Sequence, residues 1–173
     1  LTREGGMSTL VCGMESYVSL AATDYTDGFA LIACKNVLNY LPQACDGSDG
    51  DEVVRQKLAD ASALAGIAAA NTFPGLVYGM ACALSAWHHL PHGVACGILL
   101  PEVMVYQVRS KGERRNGFFQ HLYPSPRERY EALAAFCGVG GTEPAGSFSQ
   151  LLHEVCQLRD KAEIYPTIQA YGV

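Results

Sequence analysis

The longest uncharged stretch of the chain covers residues 61–101, which contain no Asp, Glu, Lys or Arg although these types make up 17% of the sequence. Such a stretch is either a buried core or a membrane span. Asn71, Pro74 and Pro91 interrupt it, and no run of about 18 apolar residues remains. We therefore expect buried helices in series, with a break before Pro74 because proline disfavours α geometry in the preceding residue. At helical spacing, Trp87 is expected in the core or at an interface.

The rest of the chain also has the hydrophobic spacing of helices. In the first predicted helix, apolar residues recur at 7, 10, 11, 14, 17 and 18, which is a 3.6-residue stripe. Polar loops are predicted at 109–126 and 138–146, and no final element is evident in the tail. Neither a repeat nor a convincing alternating strand occurs. The sequence predicts an all-α fold in one domain over 1–173, with helices at 7–20, 27–40, 51–70, 75–87, 90–101, 126–137 and 147–158.

Composition narrows the class of protein. With 173 residues, 49% of them hydrophobic, the chain is long and apolar enough for one domain with a sizeable core. A net charge of −5 and the absence of a basic patch argue against nucleic acid and anionic membranes as partners. Seven cysteines without a CxxC motif favour reduced thiols in a cytoplasm over a disulfide framework. No signal peptide pattern is present, and because the first residue is Leu1 we expect a piece of a longer protein.

Five polar residues on the apolar helices are the first candidates for chemistry. Tyr78 and Cys82 are four residues apart and share a helix face, as do Ser8 and Cys12. His92 begins another helix. Helical folds build metal sites from side chains of this kind, with a pair four residues apart on each of two helices and a histidine from a third. However, a Ser hydroxyl and a Tyr phenol are not ionised at pH 7, so neither is a ready ligand.

Several interpretations of these residues stay open. Cys12, Cys82 and His92 would suit zinc if they converged. In the commoner arrangement the two thiols are small core residues and His92 begins a helix. His88 and His89 could join His92 in a surface cluster, although such histidines are more often solvated. The sequence contains no nucleotide-binding glycine loop after a strand, and no Ser/His/Asp or Cys/His set for nucleophilic catalysis stands out.

Four motifs carry a resemblance to a known family. They are PHGVACGILLPEV at 91–103, GLVYGMAC at 75–82, MSTLVCGMESYVS at 7–19 and TDGFAL at 26–31. Their order and spacing resemble the iron-containing (group III) alcohol dehydrogenases. The similarity is strong over residues 7–106 and returns in IYPTIQAYGV at 164–173.

The resemblance implies a fold and an activity. In this family the C-terminal half is an all-helical domain of the dehydroquinate synthase-like fold that holds a divalent metal, and the N-terminal half is an α/β domain that binds NAD(P). The chain corresponds to the helical domain alone. We therefore expect the helical part of an NAD(P)-dependent oxidoreductase for an alcohol/aldehyde pair, inactive as an isolated chain. Its partners would be a small alcohol or aldehyde and either a nucleotide-binding domain or a second copy.

The metal site of the family is changed in this chain. The resemblance implies four family ligands, which are an Asp and a His on the first helix, a His in the next motif and the His of PHG. They correspond to Ser8, Cys12, Tyr78 and His92, and the family's additional active-site histidine corresponds to Cys82. Only His92 keeps the family's residue type. We expect no iron or zinc there, and we expect Tyr78, Cys82 and His92 to be the catalytic residues if the site is active, with Tyr78 donating a proton and His92 orienting substrate. The alternatives are a non-catalytic remnant or interaction module that uses the vacated pocket, and a structural zinc site on Cys12, Cys82 and His92.

Overall fold

Helices form the whole of the regular structure in the computed structural model, which describes residues 2–47, 50–73, 75–110, 125–140 and 147–173. No strand occurs within these ranges, so the all-α prediction is confirmed. In chain order the elements are α1 (Thr2–Val18), α2 (Asp24–Cys45), α3 (Glu52–Thr72), α4 (Leu76–His88), α5 (His92–Arg109), α6 (Pro126–Cys137), α7 (Phe148–Lys161) and a 3₁₀ helix (Ile168–Tyr171).

Local capping explains why four of the helices begin where they do. Thr23, Ser125 and Ser147 each accept a hydrogen bond from the backbone three residues later, and the side chain at that position bonds back to the cap residue. Asp51 accepts from two backbone N–H groups at the start of α3. These capping boxes satisfy donors that a helix start otherwise leaves unpaired.

Several predicted boundaries were wrong. α1 begins at Thr2, whereas the prediction began it at residue 7. The prediction missed the first turn because residues 2–6 are polar or glycine and carry no apolar stripe. α2 continues through Pro42, where the prediction ended it at residue 40; a proline so close to a helix end removes few backbone bonds. α5 likewise continues past Pro101 to Arg109. The tail contains a 3₁₀ helix that the pattern did not predict. Of the predicted loops, residues 111–124 and 141–146 lie outside the described residues.

The core is built around α1, which packs against α2, α3, α4, α5 and α6. Met7, Leu10 and Met14 are fully buried on this helix. Glycines let its neighbours approach closely. A Cβ on Gly13 would lie 2.7 Å from the sulfur of Cys34, and one on Gly93 would overlap the α1 backbone at Glu4. α1 and the first turns of α5 therefore lie nearly in backbone contact.

The prediction that the uncharged stretch is buried throughout was wrong for α4. Only Val77 and Ala81 are buried on this helix, whereas Leu76 and Met80 are 44% and 41% exposed and Trp87 is 82% exposed. We call Leu76, Met80 and Trp87 the α4 face. Among the described residues no single helix is long and apolar enough to cross a membrane, and α3 and α4, which reach that length together, are bent by 104°. The missing charges thus mark an apolar surface as well as a core.

Candidate functional site

The first turn of α4 and the start of α5 are in contact. The ring of Tyr78 contacts the ring of His92 edge to face, with 4.9 Å between centroids and 68° between planes. One turn further along α5, the sulfur of Cys96 lies 3.5 Å from Nε2 of His92. Two of the residues predicted to form a site are therefore in direct contact.

Ser8 and Cys12 of α1 lie close to these residues. Cys12 and Tyr78 line the same cavity, and Ser8 forms a hydrogen bond with the sulfur of Cys96. Cys82 is close enough to Cys12 to disfavour ionisation of the Cys12 thiol. The structure therefore brings Ser8, Cys12, Tyr78, Cys82 and His92 into one neighbourhood, and it adds Cys96.

A cavity of about 410 Å³ opens from this neighbourhood along α1. Cys12 and Tyr78 are two of its lining residues. Ser16 lies one helical turn beyond Cys12, and Phe73 is on the facing segment. Three small residues of α3 form part of its wall. The cavity is also lined by Glu15, Gly66, Ala69 and Ala70. A cavity of this size accommodates a small molecule.

Glu15 holds the start of α4 in place. Its carboxylate accepts hydrogen bonds from the backbone N–H groups of Gly75 (3.1 Å), Val77 (2.7 Å) and Tyr78 (3.1 Å). Gly75 is the N-cap residue and has no side chain for this purpose, so the acceptor comes from another helix. Because α4 begins correctly only against Glu15, this carboxylate sets the position of Tyr78.

Sequence reasoning missed both Glu15 and Cys96. The available signal for Glu15 was a glycine at an expected helix start within an uncharged stretch, since the first N–H groups of α4 then need an acceptor from elsewhere. The signal for Cys96 was its place four residues after His92 on one helix.

Burial sets the protonation of the thiols. It raises the pKa of Cys12 to about 11, with nearby Glu15 and Cys82 acting in the same direction. Burial also raises the pKa of Cys96 to about 12, against the opposing effect of the hydrogen bond with Ser8. Both thiols are therefore protonated at neutral pH. The neighbouring Cys82, followed by burial, raises the pKa of Tyr78, so the phenol keeps its proton as well.

This donor set does not fit a divalent iron. A carboxylate and neutral imidazoles bind such ions well, whereas a hydroxyl, a protonated phenol and protonated thiols do not. The carboxylate of Glu15 is already engaged by three backbone N–H groups. Across the described residues, no three or more His, Cys, Asp or Glu side chains are grouped so that they could hold a metal ion. The geometry therefore does not favour the zinc alternative on Cys12, Cys82 and His92, and the absence of a bound metal stays a prediction.

The surface histidines are separate from this site. His88 and His89 are exposed at the end of α4, and His89 takes a left-handed conformation with φ 56°. His88, His89 and His92 do not form a metal-binding cluster, since no such group occurs among the described residues. His88 instead lines an apolar groove beside Trp87.

Comparison of the sequence with models of known protein families identifies the family of this chain. The C-terminal model of the Fe-containing alcohol dehydrogenase family matches residues 2–173. The chain belongs to the iron-containing alcohol dehydrogenase family. This confirms the resemblance that the motifs around His92 and Tyr78 indicated.

Known proteins of the iron-containing alcohol dehydrogenase family show how much of a family member the chain covers. It is 34% identical to the aldehyde-alcohol dehydrogenase of Clostridium acetobutylicum over 173 residues, which are 100% of this chain and 20% of that protein. The alcohol dehydrogenase from Oenococcus oeni superposes with a TM-score of 0.84 at 27% identity, over 100% of this chain and 42% of the other. A 1,3-propanediol oxidoreductase gives 0.81 at 28% identity, over 97% and 40%. The chain thus spans about a fifth of that curated relative and about two fifths of these solved structures.

Proposed function

We propose that this chain is the helical domain of an NAD(P)-dependent oxidoreductase that acts on an alcohol/aldehyde pair, and that the chain by itself binds the small molecule without turning it over. One observation carries this proposal. Cys12 and Tyr78 line a cavity next to His92, so positions that the family resemblance assigns to the active site converge on a space of about 410 Å³. The nicotinamide would come from a nucleotide-binding domain that this chain does not include.

Tyr78 and His92 have complementary roles in this proposal. The phenol of Tyr78 keeps its proton, so its hydroxyl can donate a hydrogen bond to an aldehyde oxygen and supply a proton as that oxygen becomes an alcohol. The ring of His92 contacts Tyr78 edge to face and fixes its direction. Cys82, one turn after Tyr78 on the exposed side of α4, would border the opening. Ala69 and Ala70 of α3, which line the cavity, would contact the carbon chain of the ligand.

The setting of the domain is part of the same proposal. All seven cysteines are free thiols, which suits a reducing cytoplasm. The exposed α4 face favours association with a nucleotide-binding domain or with a second copy of the chain. Sizing by light scattering should give dimers or larger species, and a strict monomer at all concentrations would count against self-association.

Binding and turnover separate the parts of the proposal. Butanal and 1-butanol should shift the NMR resonances of residues around Tyr78 in this chain, and Tyr78→Phe should weaken butanal binding about three- to tenfold, since one hydrogen bond is lost. Tyr106→Phe is the matched control, because Tyr106 is an exposed residue on α5. NADH or NADPH should bind only to the longest native chain. Failure of both aldehyde and alcohol to reach the cavity would overturn the proposal.

A non-catalytic binding module is the second candidate. The residues at the family's ligand positions favour this candidate, because Ser8, Cys12 and Tyr78 are poor donors for the metal that the family's chemistry needs. The longest native chain discriminates between the two candidates. Ligand binding in the cavity without any oxidation of NADH or NADPH by aldehydes would select the binding module.

A further inference from the structure

Phe73 combines two unfavourable features. It ends α3 with φ 68° and ψ 147°, in the half of the backbone map that only glycine adopts without strain. Its side chain is also 75% exposed, so the ring gains little from burial in the core. Residues held in such conformations cluster at functional sites, where the surrounding structure enforces them.

The backbone on both sides of Phe73 is tied to the core. The hydroxyl of Ser19 donates a 2.6 Å hydrogen bond to the backbone oxygen of Thr72. The carboxylate of Glu15 accepts a 3.1 Å hydrogen bond from the backbone N–H of Gly75. Ser19 and Glu15 are four residues apart in sequence, so both anchors belong to one short stretch of the chain. These bonds keep the backbone at Phe73 from relaxing to a negative φ, and they hold its ring in the exposed position.

This exposed residue lies on the wall of the cavity that Cys12 and Tyr78 also line. Among the described lining residues, Phe73 and Tyr78 are the two with aromatic side chains, and the residues inside α3 are small. In the proposed function the hydroxyl of Tyr78 binds the carbonyl oxygen of the ligand. Phe73 is then the large apolar group that remains for the body of that ligand.

From this arrangement we infer that Phe73 is a specificity-determining residue, which favours aldehydes that carry an aromatic ring over saturated aldehydes of the same size. The inference rests on the proposed function, because it takes the carbonyl oxygen of the ligand to be at Tyr78. Two aromatic rings in offset or edge-to-face contact gain free energy beyond the apolar area that they bury. A saturated ring buries a similar area without this gain.

Two ligands isolate the aromatic ring. Benzaldehyde and cyclohexanecarbaldehyde have the same number of heavy atoms and the same aldehyde group, and NMR titration measures their affinities for the full chain. The ratio of benzaldehyde affinity to cyclohexanecarbaldehyde affinity is compared between wild type and variants, because this comparison removes the different hydration of the free ligands. Phe73→Leu, which keeps an apolar side chain, should lower the ratio about two- to tenfold. Phe136→Leu is the matched control and should keep the wild-type ratio, since Phe136 is an exposed phenylalanine of α6 that does not line the cavity.

Glycine and alanine at position 73 test the backbone strain. Both Phe73→Gly and Phe73→Ala lack the ring and should lower the ratio as Phe73→Leu does. Only glycine adopts φ 68° without strain, so the midpoint of thermal unfolding should be about 2–4 °C higher for Phe73→Gly than for Phe73→Ala. Equal midpoints would overturn the argument that the fold holds Phe73 under strain.

The outcomes for the ligands are distinguishable. A ratio that falls in the three Phe73 variants and not in Phe136→Leu supports the inference. If both ring-bearing aldehydes bind and the ratio is the same in wild type and Phe73→Leu, the role of Phe73 is overturned and the proposed function stands. If butanal binds and neither ring-bearing aldehyde does, the aromatic ligand class is overturned and the proposed function again stands. If none of the three aldehydes binds to the wild-type chain, both the inference and the proposed function are overturned.

Discussion

The backbone N–H of Val77 donates a 2.7 Å hydrogen bond to Oε1 of Glu15, which lies on a different helix 62 residues earlier in the chain. Oε2 of the same carboxylate accepts from Gly75 and Tyr78. A Cβ on Gly75 would overlap the carboxylate, so the glycine is needed for this approach. The helix that carries Tyr78 is thus held at its first turn by the central helix of the core.

Removing the Glu15 carboxylate should loosen α4. Glu15→Ala leaves three backbone N–H groups without their acceptor, and we expect the free energy of unfolding to fall by about 2 kcal/mol. Urea unfolding followed by circular dichroism measures the change. Glu154→Ala, an exposed position on α7, is the control and should stay within about 0.5 kcal/mol of wild type. If the two variants lose the same free energy of unfolding, Glu15 does not stabilise the start of α4.

Glu15 also predicts a pH dependence of stability. Burial raises the pKa of its carboxyl above the ordinary value, despite the opposing effect of the three backbone hydrogen bonds. The folded state therefore binds this proton more tightly than the unfolded state. The stabilising contribution is complete below the unfolded pKa and is lost as pH rises through the folded pKa. Glu15→Gln cannot titrate, so the stability of wild type minus that of Glu15→Gln should decrease from pH 4 to pH 8. A difference that increases over this range would contradict the direction of the shift.

Two glycines should respond oppositely to alanine. A Cβ on Gly93 would overlap the backbone of Glu4, and backbone cannot move aside as a side chain end can, so Gly93→Ala should destabilise the fold by about 3 kcal/mol. A Cβ on Gly79 meets nothing within 4 Å, and Gly79 lies inside α4. Gly79→Ala should therefore raise stability by about 0.5–1 kcal/mol, because alanine loses less backbone entropy in a helix. Thermal unfolding of the two variants tests both signs. Gly93→Ala with wild-type stability would show that α1 and α5 are further apart than described.

The helices were predictable because their signals are local. The 3.6-residue stripe of α1 and the serine before α6 are readable within a few residues of sequence. The Glu15 cap was not, because its partners are about 60 residues away and nothing near Glu15 in sequence identifies them. For Trp87 the sequence left two alternatives open, the core or an interface, since an uncharged helix at a surface has the same composition as one in a core; its exposure excludes the core.

The candidate site was predictable only in part, and for a different reason. The family motifs placed Tyr78 and His92 together, and the two rings are in contact. The motifs could not supply the environment of the new residues. Burial keeps Cys12 protonated, and the Ser16 hydroxyl has no partner. Both properties depend on how α3 packs against α1. These properties of the site are tertiary and have no local sequence signal.

Restoring the family's ligands should restore a metal site. The triple variant S8D/C12H/Y78H places a carboxylate and two imidazoles beside His92, which supplies the donor types that a divalent iron or zinc prefers. The scaffold for this exists, because Tyr78 already lies against His92 and Cys12 lines the same space as Tyr78. After purification with Fe²⁺ or Zn²⁺, elemental analysis should give about one ion per chain for this variant and less than about 0.1 for wild type.

A second triple variant controls for the effect of changing three positions. S8A/C12A/Y78F alters the same residues without adding donors and should bind no more metal than wild type. If the wild-type chain itself holds about one iron per chain, Tyr78 must lose its proton and bind the ion as a phenolate. The argument that Ser8, Cys12 and Tyr78 are poor metal donors is then wrong. If S8D/C12H/Y78H folds but binds no metal, the four positions do not converge closely enough to share one ion. Either result would also change the proposed function. A wild-type metal site would make metal-assisted alcohol oxidation the leading hypothesis, and a failed restoration would favour the non-catalytic binding module.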